Sequence, residues 1–262
     1  MNKPKSAAYR APGSPQAAFA AETVSDELAR IHNMDPIDFR LQNASKEDTR
    51  RADGVVFPKI GNVEVLEAAK ASEHWKSDLG TPPKGRVRGR GVASGYWFNV
   101  GLKSAVSLTV NNDGSVALVE GSTDIGGTRT SISMQAAEVL GIGVENFIPT
   151  VGDTDTAGYA DVTGGSRTTY ATGFAAVKAA ENLIEVLKER CAIIWSLDKN
   201  DIDFRDGTFY ASKDPELKFS FKDLASNLDN TGGPASSTGS VDLESAGGAS
   251  VSYTHLTLPT KA

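Results

Sequence analysis

Asp124-Ile-Gly-Gly-Thr-Arg-Thr130 and Thr163-Gly-Gly-Ser-Arg-Thr-Thr-Tyr170 share a wording, Gly-Gly-(Thr/Ser)-Arg-Thr, and their surroundings decide the fold. Before the first, residues 104–110 and 115–121 read as strands. Asn111-Asn-Asp-Gly114 between them is a hairpin turn, because Asn and Asp-Gly accept the positive φ such turns need. After it, residues 129–140 read as a helix and 146–151 as a strand, followed by a polar loop over 152–163. The second glycine pair opens a long helix over 167–194 with an apolar stripe of Phe174, Val177, Ala180, Ile184, Val186 and Leu187. Short strands are expected at 201–204 and 208–211, and a helix at 221–228. Residues 231–250 are rich in Gly, Ser and Ala, which reads as a flexible segment or as a strand awaiting packing partners.

Upstream, residues 89–100 read as a strand, and Thr81-Pro-Pro-Lys-Gly85 as a linker. Residues 63–72 form a helix and 44–62 a polar, turn-rich stretch. Ser14-Pro15 starts a helix whose Phe19, Val24, Leu28 and Ile31 recur at helical spacing. Asn33-Met-Asp-Pro36 breaks it and opens a second, shorter helix. Strands and helices alternate without a regular βαβ repeat, so the class is α+β.

Composition narrows the function. A formal charge of −6, with Lys and Arg scattered, disfavours nucleic-acid binding. The one basic cluster, Lys84, Arg86, Arg88 and Arg90, reads as a solvated strand entry. A single cysteine, Cys191, excludes an intramolecular disulfide and an iron–sulfur cluster held by this chain alone, and its apolar neighbours imply a buried, inert thiol. His32, His74 and His255 are dispersed, so no zinc-type spacing exists and no metal ligand is assigned. No run approaches the roughly 20 apolar residues of a membrane span, and no signal peptide is supported, so a cytoplasmic location is expected.

Both glycine loops lead from strand or loop into a helix start, where backbone N–H groups and the helix dipole suit a phosphate or carbonyl. A third segment, Ala8-Tyr-Arg-Ala-Pro-Gly-Ser-Pro-Gln16, holds Arg10 near a helix N-terminus between stiffening prolines. Each loop alone reads more readily as a plain turn with a hydroxyl cap. Together they point to one extended, phosphate-bearing ligand gripped by several loops. Neither matches GxGxxG with its downstream acid, nor a GKS/GKT phosphate loop, and no Ser/His/Asp set is visible.

The segments AYRAPGSPQ and MDPIDFRLQN, then GVASGYW, VNNDGSV, GSTDIGGTRT, GDTD and TGGSRTTYATG, in that order, resemble the molybdopterin-binding large subunit of the xanthine dehydrogenase/aldehyde oxidase family. The resemblance covers about residues 6–250. It implies that residues 1–80 hold the end of a first cofactor-binding domain with its connecting segment, and residues 81–250 the start of a second. It further implies a molybdenum–molybdopterin cofactor in its cytosine dinucleotide form. The implied reaction hydroxylates an aldehyde or N-heterocycle carbon with oxygen from water, electrons leaving through [2Fe–2S] clusters to FAD on partner subunits of a hetero-oligomer that can itself dimerise. By position, Arg10, Gly126, Gly127, Thr128, Gly164, Gly165, Ser166 and Thr168 are implied to bind the cofactor. Pro12 falls at a substrate-facing position where some members place phenylalanine.

Departures are specific. Gly127 stands where many members carry a cofactor-bonding glutamine, and nothing matches the family's general-base glutamate, so no catalytic residue is assigned. This chain by itself is therefore expected to retain no cofactor and turn nothing over. The alternative is a non-catalytic assembly or anion-binding subunit of the same fold without molybdenum. Finally, Val251-Ser-Tyr-Thr-His-Leu-Thr-Leu-Pro-Thr260 resembles a translated DNA-library adapter, so residues 251–262 are expected to be adapter-derived; a Thr-rich edge strand closed by Pro259 is the competing reading.

Overall fold

The computed structural model describes residues 11, 13–153, 155–243 and 250–253. Arg10, Pro12 and residues 254–262 lie outside the described residues. The chain divides into two compact units, one of residues 1–99 with 246–262, the other of residues 100–245. The stretch 81–85, read above as a linker, lies inside the first unit.

In the first unit, helix α1 (Ser14–Ile31) begins after Gly13, whose φ of 80° sets the left-handed entry, with Pro15 in the first turn. It stops at Asn33, another left-handed residue. Asp35 then caps α2 (Pro36–Asn43), its Oδ1 accepting from Ile37 N at 2.8 Å and Asp38 N at 3.2 Å. Helices α3 (Asn62–Ala71) and α4 (Glu73–Lys76) follow. Ile37, Leu66, Ala69 and Val92 form a small core with Leu41, Ala44 and Trp75 against it. Helices α1 and α2 are joined by buried Arg40, which donates to Glu22 at 2.8 Å and pairs with Asp26 at 2.8 Å. The stripe expected to be apolar and inward on α1 is not buried: Phe19 is 77% exposed and Ile31 70%. The helix is held on its Glu22 side by ion pairing, so its apolar residues point away. Of residues 89–100, read as a strand, only Gly95–Phe98 form one; before it Arg88 and Arg90 donate to the carbonyls of Leu79 and Trp75. Strand β1 (Gly95–Phe98) pairs antiparallel with Ser250–Tyr253, of which Val251, Ser252 and Tyr253 lie within the stretch read as adapter-derived.

The second unit is built on a four-stranded sheet. Strands β2 (Leu102–Val110) and β3 (Val116–Glu120) form the expected hairpin, and β4 (Phe147–Val151) adds parallel to β3 through helix α5 (Thr128–Leu140). Burial alternates along β2 and β3, so Val106, Leu108, Val110, Val116 and Leu118 share one face. The helix α6 (Gly173–Trp195) covers that face with α5. The residues leading into it, Thr168–Thr172, form a wider π turn, where a continuous helix was expected. The buried stripe of α6 is Ala175, Ala176, Ala179, Ala180, Leu183, Leu187 and Cys191, whereas Phe174 is 46% exposed. Short strands β5 (Ile202–Arg205), β6 (Thr208–Ala211) and β7 (Asp214–Ser220) make a meander, with α7 (Phe221–Ala225) after it. Strand β7 escaped the sequence reading because its charged, mostly exposed residues suit a sheet edge rather than a half-buried strand.

The Gly/Ser/Ala-rich stretch contains strand β8 (Ala235–Leu243), paired antiparallel with the whole of β2. Its inward residues are small because α6 lies against it: a Cβ on Gly239 would sit 2.3 Å from the Ala175 carbonyl oxygen and 2.4 Å from Ala179 N. Ser237 Oγ donates to the Ala179 carbonyl at 2.7 Å. The partners that Ala235–Leu243 need are present, and the flexible reading is corrected there.

Cys191 is fully buried in this core, and desolvation pushes its thiol up to about 12. A thiolate is therefore absent at neutral pH. We expect a thiol-reactive disulfide reagent to leave the native chain unlabelled and to label it stoichiometrically in denaturant; rapid native labelling would contradict this burial.

Candidate functional site

The two glycine loops meet at one end of the second unit. Thr123 Oγ1 donates to Thr163 Oγ1 at 3.0 Å, and Gln135 Nε2 on α5 donates to the Thr169 carbonyl at 3.2 Å. Of the residues named from sequence, Gly126, Gly127, Thr128, Gly164, Gly165, Ser166 and Thr168 lie on these two loops.

In the first loop Gly126 and Gly127 take consecutive left-handed conformations, φ 64° and 82°, and turn the chain directly into α5. Thr128 is buried, and its hydroxyl is used inside the loop, accepting from Ile125 N at 3.2 Å. Asp124 Oδ1 accepts from Arg129 N at 3.1 Å, and its other oxygen pairs with the Arg129 guanidinium at 3.1 Å. The charge of Asp124 is thus neutralised at the helix start, and no acid lies within the first turn of α5. In the second loop, Gly165 (φ 62°) and Ser166 (φ 57°) are again left-handed. A Cβ on Gly165 would meet Val100 Cγ2 at 2.7 Å, and the Gly165 carbonyl accepts from Val100 N at 3.1 Å. Thr168 is buried.

A Cβ on Gly126, Gly127 or Gly164 would meet nothing within 4 Å. These backbones therefore face open space, and an extended group carrying phosphate and hydrogen-bonding edges fits against them. Gly165 is different: it is required by its own packing.

Two residues that sequence reading left unassigned sit beneath the loops. Arg167 is fully buried, and its Nε donates to the Gly101 carbonyl at 2.8 Å, its Nη1 to the Asp161 carbonyl at 2.8 Å, and its Nη2 to the Lys103 carbonyl and Ser104 Oγ, each at 2.5 Å. One guanidinium thereby ties the second loop to β2 and to the 152–163 loop. Desolvation holds its pKa below the ordinary arginine value. Glu120, the last residue of β3, occupies an inward position and has no exposed surface. Its Oε2 accepts from Ser122 N at 2.6 Å and Ser122 Oγ at 2.5 Å. Its carboxyl is raised above the ordinary range, chiefly by desolvation, against the lowering effect of the Ser122 bonds. A signal for Glu120 existed in the alternation Val116, Leu118, Glu120, which sets an acid on the apolar face.

The first unit holds a cleft of about 380 Å³ lined by Ala17, Ala21, Glu22, Phe57, Asn62 and Ser94 among others. Glu22 there is already engaged by Arg40 and by Ser94 N at 2.6 Å. Among the described residues no group of His, Cys, Asp and Glu could hold a metal ion, and no helix is long and apolar enough to cross a membrane.

A family described as molybdopterin cofactor-binding domain matches residues 64–257, and a second family of the same description matches residues 1–44. The aldehyde oxidoreductase molybdenum-binding subunit PaoC of Escherichia coli O157:H7 is 31% identical over 221 residues, covering 79% of this chain and 28% of that protein. The xanthine dehydrogenase molybdenum-binding subunit of the same organism is 30% identical over 236 residues, covering 86% of this chain and 31% of its own length. Reconstituted CO dehydrogenase from Oligotropha carboxidovorans shares the fold with a TM-score of 0.66 at 22% identity, over 87% of this chain and 32% of that one. The chain thus spans under a third of the length of these relatives. The ordered motifs, the paired glycine loops and these matches have one conclusion: the chain belongs to the molybdopterin cofactor-binding family of the xanthine dehydrogenase/aldehyde oxidoreductase molybdenum subunits.

Proposed function

We propose that this chain supplies part of the cofactor cradle of a molybdenum-dependent hydroxylase. The observation that carries the reading is the junction of the two glycine loops through Thr123 and Thr163, with Gly126, Gly127 and Gly164 facing open space. The backbone of Gly126 and Gly127, at the start of α5, orients the anionic part of the cofactor, and the dipole of α5 favours it. Gly164, Gly165 and Ser166 bring the second loop's backbone close, with Thr168 fixed beneath it. The family resemblance assigns Arg10 a cofactor-binding role and Pro12 a substrate-facing one; both lie outside the described residues. The bound cofactor, molybdenum–molybdopterin in its cytosine dinucleotide form, supplies two-electron oxidation of an electron-poor carbon with oxygen taken from water.

The substrate class is an aldehyde or an N-heterocycle. The electrons pass to [2Fe–2S] and FAD groups on partner subunits of a cytoplasmic hetero-oligomer. A subunit of the same fold without molybdenum is the competing reading, favoured by Gly127 at a position where many relatives carry glutamine. Purification of the complete complex from cells grown on molybdate, then on tungstate, separates the two. Oxidation of an aldehyde and N-heterocycle panel with a dye acceptor is expected from the first preparation and at background from the second. Equal rates from both, or none from the molybdate preparation, would overturn the hydroxylase reading.

A further inference from the structure

Glu120 is a carboxyl on the row of β3 that otherwise faces the core, with no exposed surface. Only one of its oxygens is engaged: Oε2 takes both Ser122 bonds, while Oε1 is buried with no hydrogen-bond partner among the described residues. The buried cation that acts on it, Arg167, directs its hydrogen bonds to the carbonyls of Gly101, Lys103 and Asp161 and to Ser104 Oγ. Asp124, on the loop above, adds a like charge. Tyr159 and Asp161 act on Arg167 rather than on Glu120. An ionised carboxylate would leave a dry, unpaired oxygen carrying charge, which a protein interior avoids by keeping the proton.

We propose that Glu120 is a positioning residue that works as a neutral acid, locking Ser122 and with it the first glycine loop in the form that receives the cofactor. Ser122 is the lever: its N–H and hydroxyl both close on Glu120, immediately before the stretch that turns through Gly126 and Gly127 into α5. The raised carboxyl fixes the direction of the pH effect. The folded state binds this proton more tightly than the unfolded chain, so the contribution to stability is full at acid pH. It declines as pH climbs from the ordinary carboxylate range through the folded value. The proposal rests on the reading that this loop grips molybdopterin.

The test uses the complete complex with Glu120→Gln and Glu120→Ala. Molybdenum and released pterin per subunit are measured across an acid-to-alkaline series, alongside the thermal unfolding midpoint. E120Q, which mimics the protonated side chain, is expected to keep its cofactor and to lose the decline in midpoint with rising pH that the wild type shows. E120A is expected to retain about 10-fold less cofactor, the scale of losing a residue that orients a site from behind. Should E120A fail to fold, E120Q alone still decides. Cofactor loss in E120Q as large as in E120A, or unchanged retention and pH dependence in both, would overturn the proposal. If the wild type itself carries no pterin, the cofactor reading has failed, and the E120Q midpoint series still decides whether Glu120 is the neutral acid.

Discussion

Arg167→Met is expected to destabilise the second unit by about 3–5 kcal/mol, the cost of removing one member of a buried, charge-assisted network. Arg167 is the largest fully buried side chain among the described residues, and it supplies donors to three main-chain carbonyls and one hydroxyl. Methionine fills much of the volume but gives none of those bonds, so the carbonyls of Gly101, Lys103 and Asp161 lose the guanidinium as donor, and of these Lys103 keeps the Asp161 N–H at 3.0 Å. Ser104 keeps a partner in Thr172, at 2.9 Å, which limits the loss. Arg167→Lys restores charge but not the fork that reaches several acceptors at once, so it recovers only part of the stability. Urea unfolding followed by far-ultraviolet circular dichroism measures both variants. A midpoint for R167M equal to wild type would mean that these hydrogen bonds hold nothing together.

Gly239→Val is expected to be nearly as damaging, on the order of 3 kcal/mol or more, because the packed helix leaves its side chain nowhere to go. The atoms a Cβ would strike, the Ala175 carbonyl oxygen and Ala179 N, are backbone atoms of α6 and cannot rotate aside. Relief requires β8 and α6 to separate, which also stretches the Ser237–Ala179 bond. Gly164→Ala is the contrast: its added Cβ meets nothing within 4 Å and its φ is not left-handed, so stability should hardly change. Thermal unfolding of the pair distinguishes a packing glycine from a cradle glycine. Equal effects would contradict the close approach of β8 and α6.

Much of the second unit was legible because its strands follow simple period-two burial. The hairpin over Asn111–Gly114 and the glycine entry to α5 carry strong local chemistry, and the structure has them where expected. Strand β8 was not legible: with Ala235, Ser237 and Gly239 inward, the signal that marks a strand is replaced by the small size that tight packing demands. The stripe of α6 was misread for the same reason, since alanines rather than Phe174 and Val177 face the sheet. Helix α1 failed differently. Its apolar spacing is genuine, but the Glu22–Arg40 pair decides which side turns inward in this unit.

Gly126, Gly127 and Gly165 could be named from sequence because left-handed turns leave a compositional mark. Arg167 was within the quoted motif and Glu120 immediately preceded the other, yet neither received a role. Their importance comes from burial and from partners such as Gly101 and Lys103, which are far away along the chain. Spacing alone does not carry that information.

Metal and pterin analysis of the complete complex, purified from molybdate-replete cells, bears most directly on the claim that these loops cradle molybdopterin. Molybdenum and pterin equimolar with the subunit are the predicted result. A folded, fully assembled complex that contains neither would contradict it.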